Sequence, residues 1–187
     1  EAALAGFHRG GVEAAAGAPK PAVDLSPGTF KYKATIAAGP QTIPLTTTTE
    51  IKEDGNSWIA TEIADTPFGK IIDVATIEKG TLILKHRSIT QEPVVIELDF
   101  KGNKVTGTMT QSGQAKPIDV DLGGVAFADG GGAFDVLARL PLAANYSTTF
   151  RNFDVQKQKA QIKNLKVVGT ESITVPAGTF DAYKVEV

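Results

Sequence analysis

VVIELDFKGNKVTGTMTQSGQAKPIDVDL, residues 94–122, decides the fold. Val94, Ile96, Leu98 and Phe100 fall on alternate positions, with Glu97 and Asp99 between them. A side-chain period of two puts the first set on one face of a strand and the second on the other. Gly102-Asn103 is a tight turn, and KVTGTMTQ (104–111) resumes the strand pattern. After SGQ, KPIDVDL (116–122) sets Ile118, Val120 and Leu122 against Asp119 and Asp121, and Val105 and Met109 share the apolar face. One oily face and one wet face, repeated over short strands joined by tight turns, predict a curved antiparallel sheet.

The same pattern extends upstream. TFKYKATI (29–36) alternates Phe30, Tyr32, Ala34 and Ile36 with Lys31, Lys33 and Thr35. TIPLTTTTEI (42–51), SWIATEIA (57–64), KIIDVATI (70–77) and TLILKHRSI (81–89) follow. They are divided by Gly39-Pro40, by EDGN (53–56) with Asp-Gly at its centre, by Pro67-Phe68-Gly69, and by EKG and QEP. Downstream, GGVAFADGGG (123–132) reads as a glycine-rich connection, with Gly130-Gly131-Gly132 as a flexible hinge. AFDVLARLPL (133–142) carries a stripe of Phe134, Leu137, Ala138 and Leu140 or Leu142, and Pro141 stops it. This predicts one short helix over about 133–141, too short to stand alone, lying against the sheet or plugging one end of it. YSTTFRNFDV (146–155), KAQIKNLKVVGTESITV (159–175) and TFDAYKVEV (179–187) are strands again. Between the last two, Pro176 sets φ for a turn and Gly178 supplies the positive φ that leaves it. The prediction is a mainly β protein: a strongly curved, half-open antiparallel β-barrel of about 10–11 strands with one covering helix.

Residues 1–24 differ in kind. They are rich in Ala and Gly and end in Pro19-Lys20-Pro21, which reads as a linker or N-terminal arm before a single domain over 25–187. Within the arm, Gly6, Gly10 and Gly11 each weaken a helix by about 1 kcal/mol relative to Ala.

Composition excludes several classes of function. A net charge of −2 gives no electrostatic case for nucleic acid. No apolar run reaches the roughly 18 residues that span a bilayer. The chain has no cysteine, so disulfides, thiolate catalysis and Cys-ligated zinc are out. His8 and His86 are the two histidines; they are far apart in sequence, and His86 reads with Lys85 and Arg87 as a solvated strand face, so no metal site is expected. HExxH, GxSxG, Walker A and GxGxxG patterns are missing. Asp119 and Asp121 share a strand face about 7 Å apart, without the loop of oxygens that calcium needs. Trp58 is the single tryptophan, which argues against a sugar-stacking cleft. No cofactor is expected, and no catalytic constellation stands out.

GTESITVPAGTFDAYKV (169–185) resembles a hairpin recurrent in bacterial exported β-proteins of unknown function. These are similar in kind to the LolA/LolB lipoprotein carriers, in which short helices cover the mouth of an open, strongly curved sheet. The helix-then-long-strand order at 133–155 fits the same pattern. In such proteins one or two further strands follow the hairpin, so the resemblance implies that the domain lacks its last strands and leaves an open edge. It also implies a periplasmic or extracellular place.

Two functions follow. The first is non-enzymatic binding of a lipid, acyl chain or other hydrophobic ligand in the concave face, lined by Phe30, Tyr32, Trp58, Phe100, Met109, Phe134, Leu137, Phe150 and Phe180. The alternative is a structural or accessory domain of a larger exported protein, meeting a partner through the open edge strand.

Overall fold

The computed structural model describes residues 17–38, 41–67 and 69–187. The readings made for 1–16, His8 among them, for the Gly39-Pro40 turn and for Phe68 lie outside the described residues. The chain is mainly β. Eight strands run as an uninterrupted antiparallel meander in the order β1 to β8: β1 (Gly28–Ala38), β2 (Gln41–Asp54), β3 (Ser57–Thr66), β4 (Gly69–Glu78), β5 (Leu84–Gln91), β6 (Val94–Lys101), β7 (Lys104–Gln111) and β8 (Gln114–Asp121). Three more, β9 (Ser147–Asp154), β10 (Lys159–Val175) and β11 (Gly178–Glu186), form a second sheet in the order β11-β10-β9. From β2 onward the connections in the meander are short, which is why neighbours in sequence are neighbours in space. Among the described residues β1 and β8 are not paired, so no closed barrel is formed.

Register explains the core. Trp58 pairs with Ile77, Ile77 with Leu84, and Phe100 with Val105, so these side chains project from one face of the large sheet. All are buried, and Leu98, Ala60 and Ala75 on the same face are fully enclosed. Glu97, Asp99 and Asp119 stay on the wet face, as alternation requires.

Within the large sheet strict alternation fails at one place among the described residues. Ile77 pairs with Leu84 but Thr76 pairs with His86, which leaves Lys85 as the extra residue of a β-bulge. Alternation from Leu84 would turn His86 inward and Arg87 outward. The bulge reverses both: Arg87 lies opposite Ala75 on the inner face, and His86 lies opposite Asp99 on the wet face. The solvated-face reading therefore holds for Lys85 and His86 and is corrected for Arg87, which is largely buried.

The glycine-rich segment 123–132 also departs from expectation. It is no free hinge but a strap across the inner face, with Ala126, Phe127, Ala128, Asp129, Gly131 and Gly132 buried. Phe127 bridges to Ile83 of the large sheet's side, and Ala126 bridges in parallel to Arg151 of β9, so the strap ties the two sheets together. Glycine is needed here for closeness. A Cβ on Gly131 would lie 2.5 Å from the Asp73 carbonyl oxygen and 2.7 Å from that of Ala60.

The strap runs into α1 (Ala133–Leu137), which is shorter than the expected 133–141. Past Leu137 the chain tightens: Arg139 N–H donates to Val136 O and Leu140 N–H to Leu137 O, three-residue turns that precede Pro141. Val136 and Leu137 are buried against the core. The segment before β1 docks too. Leu25 is buried, Ala22 N–H donates to Arg139 O, and the Asp24 carboxylate accepts the Trp58 indole N–H at 2.7 Å and Gly80 N–H at 2.9 Å.

Candidate functional site

Two arrangements stand out: a charged cluster on the inner face and an apolar cleft outside it. The cluster begins with Asp73 on β4, at the same parity as Ala75 and Ile77. The Arg87 guanidinium donates to both Asp73 oxygens, closest at 2.7 Å, and to Asp129 Oδ1 at 2.7 Å. Asp129 Oδ2 accepts Phe153 N–H from β9 at 2.7 Å, and Asp73 Oδ1 accepts Gly131 N–H at 3.1 Å. Glu62 on β3 lies beside Asp73 in register and accepts N–H of Gly132. One guanidinium thus holds strand, strap and second sheet together.

The electrostatics follow from burial. Desolvation opposes the charge on Arg87, but hydrogen bonds to Asp73 and the fields of Asp129, Asp73 and Glu62 more than offset it, and its pKa rises. Desolvation pushes the Asp129 carboxyl up, with Arg87 and the Phe153 N–H acting against it. Desolvation also raises Glu62, and the nearby Asp73 and Asp135 add to it. Among the described residues no group of His, Asp and Glu is placed to hold a metal ion. The contacts of the cluster fasten β4, β5, the strap and β9 to one another.

The cleft is of ligand size and, unlike other open pockets among the described residues, has an apolar lining. It has a volume of about 390 Å³ and lies between α1 and the C-terminal hairpin. Phe134, Leu137 and Leu142 line one side; Leu165, Tyr183 and Val185 line the other. Phe134 is 80% exposed, extreme for so large an apolar ring, and Tyr183, Val185 and Val187 are each more than a third exposed. Among the described residues no charged side chain lines this cleft. Beneath α1, by contrast, the space bounded by Ile77, Leu82, Leu84, Ala133 and Val136 has no room for a water molecule.

The residues expected to line a concave site are placed as follows. Trp58, Phe100 and Phe150 are core; Phe150 meets Phe127 of the strap edge-to-face at 6.1 Å. Phe30 and Met109 are half-buried against that core. Tyr32 is 51% exposed on β1 and Phe180 49% exposed near the hairpin tip. Only Phe134 and Leu137 come together in the cleft. Leu142, Leu165, Tyr183 and Val185 were not among the expected residues. The alternation of Tyr183, Val185 and Val187 along β11 was the available signal. Asp73, inside the apolar run KIIDVATI at core parity, was the signal for the charged cluster.

The fold and cleft define a mainly β protein of two antiparallel sheets joined by a buried strap, with an apolar groove beside α1. A model of a protein family of unknown function, DUF3108, matches residues 29–187, and the chain belongs to that family. The matched span contains the eleven described strands except Gly28 of β1, together with the strap and the cleft. No curated protein and no solved structure matches the chain significantly.

Proposed function

We propose that this protein is a non-enzymatic, extracytoplasmic binding domain that takes a single hydrophobic chain, such as a lipid acyl group, in the cleft between α1 and the β10–β11 hairpin. The observation that carries the reading is the uncharged, ligand-sized cleft with Phe134 standing open to solvent at its lip. Concave sites of roughly 300–1,000 Å³ with mainly apolar walls are the usual form of small-molecule sites, and contiguous exposed apolar surface marks an interaction site. In this reading the large sheet is a half-open barrel similar in kind to the LolA/LolB carriers. The ligand sits beside the strap instead of beneath it, because the space beneath is dry and filled.

The test is native mass spectrometry of the purified protein followed by organic extraction. A co-purifying acyl species at fixed stoichiometry, or uptake of an offered fatty acid, is the expected result. A clean apo mass with no uptake overturns the reading. A second reading, an assembly domain, draws on the hairpin beyond β9: Ile173, Val175 and Phe180 are exposed there, and β11 is a sheet edge. It predicts a co-purifying protein that is lost when Phe180 is replaced by Ser.

A further inference from the structure

α1 is a wall between the open cleft and a filled interior that Asp129 and Gly131 of the strap also line. Ala133 and Val136 face the dry space above Ile77, Leu82 and Leu84, while Phe134, Leu137 and Ala138 face the open cleft. We propose that residues 129–135 open as a unit, held shut by the Arg87 cluster, and that opening joins the cleft to the space beneath α1. The inference deepens the binding reading by giving that site a gate, but the motion itself is read without ligand.

The argument rests on how the strap is fastened along its length. Its first half is held by apolar burial and by the backbone: Phe127 is fully buried, and Leu84 N–H donates to Ala126 O and Phe127 N–H to Arg151 O. Its second half has almost no side-chain area to bury, being Asp129 and three glycines. That half is held by Arg87 on Asp129, by Phe153 N–H on Asp129, by Gly131 N–H on Asp73 and by Gly132 N–H on Glu62. Water can replace such polar contacts, whereas it cannot replace the burial of Phe127. Val136, 1% exposed, anchors the far end. Between the two anchors the backbone is already unusual: Ala128 has φ 49°, a conformation that non-glycine residues seldom adopt and one associated with switch segments. Locally fastened segments of this kind open at lower free energy than the core ladders around them.

Amide hydrogen exchange on the ligand-free protein tests the proposal. Amides of 129–135 are expected to exchange at least about tenfold faster than those of Ala60 and Ala75 in β3 and β4, which require global unfolding. Asp129→Asn keeps the shape and removes the charge; it should speed exchange in 129–135 by about another tenfold and leave Ala60 and Ala75 within about threefold. Arg87→Lys, which keeps the charge and loses the two-pronged grip, is the gentler variant should the first fail to fold, and it should act in the same direction. Equal exchange of 129–135 and of Ala60 and Ala75, in the parent and in whichever variants fold, overturns the proposal. Adding hexadecanoate then separates the gate from the binding reading: fast exchange of 129–135 with no fatty-acid uptake keeps the gate and removes the ligand.

Discussion

Single residues fix this fold where backbones come closest. Gly131 is the sharpest case, since a methyl group there would meet two carbonyl oxygens of neighbouring strands at 2.5 and 2.7 Å. Those oxygens belong to the sheet and cannot swing aside as a flexible side chain would. Gly131→Ala should therefore cost about 1–3 kcal/mol or more, the range for overpacking a tight core, read as a lower urea midpoint at unchanged slope. Glu62 gives the second residue-scale prediction. Desolvation, with repulsion from Asp73 and Asp135, raises its carboxyl above the ordinary 4.5, against hydrogen bonds from Gly132 N–H and Thr49. A raised folded value means that folding favours the protonated form. Its stabilising contribution is complete below the ordinary value and is lost as pH rises through the raised one. Glu62→Gln stays neutral throughout. Its melting temperature should match the parent's near about pH 4 and exceed it at about pH 7, and a gap that fails to widen with pH would refute the assignment.

At the scale of elements, the strands were legible and the strap was not. Period-two alternation in 94–100 and 104–111 places β6 and β7 within a residue of where they lie, because each has one wet face to mark the register. Arg87 was hidden by a single inserted residue, Lys85, which no periodicity announces. The strap was hidden for a different reason: Gly and Ala carry no pattern, so a buried run of them spells the same as an exposed loop. The two-residue Val175–Gly178 turn was legible from Pro176 and Gly178. What lies beside the hairpin was not. Beyond Lys166, β10 pairs only with β11, and a two-stranded ribbon without a third strand or a helix is marginal in water. Residues 169–183 should thus be the first part of the described chain to yield to dilute protease, with cleavage there leaving the large sheet intact. Initial cleavage in the β3–β5 turns instead would contradict this ranking.

For the whole molecule, the question is what the large sheet's inner face is for when its own strap already covers it. A sheet that buries Trp58, Leu84, Phe100 and Phe127 has what it needs for stability, and Phe134 adds nothing to that interior. Its exposed ring shares the cleft with exposed Tyr183, Val185 and Val187, and it is this grouping of apolar side chains that points to binding. Stability and binding can therefore be separated at this one position. Phe134→Ser should leave the melting temperature within the small range typical of exposed sites, about 0.5 kcal/mol. It should also weaken uptake of an acyl probe severalfold, as loss of a large apolar contact does. Leu137→Ala, by contrast, removes a buried side chain from the cleft wall and should lower stability by about 2–5 kcal/mol. If Phe134→Ser destabilises the fold as Leu137→Ala does, the ring is part of the core and the cleft is no site. If it changes neither stability nor uptake, the acyl chain lies elsewhere, and the exposed hairpin face of Ile173, Val175 and Phe180 becomes the surface to test for a protein partner.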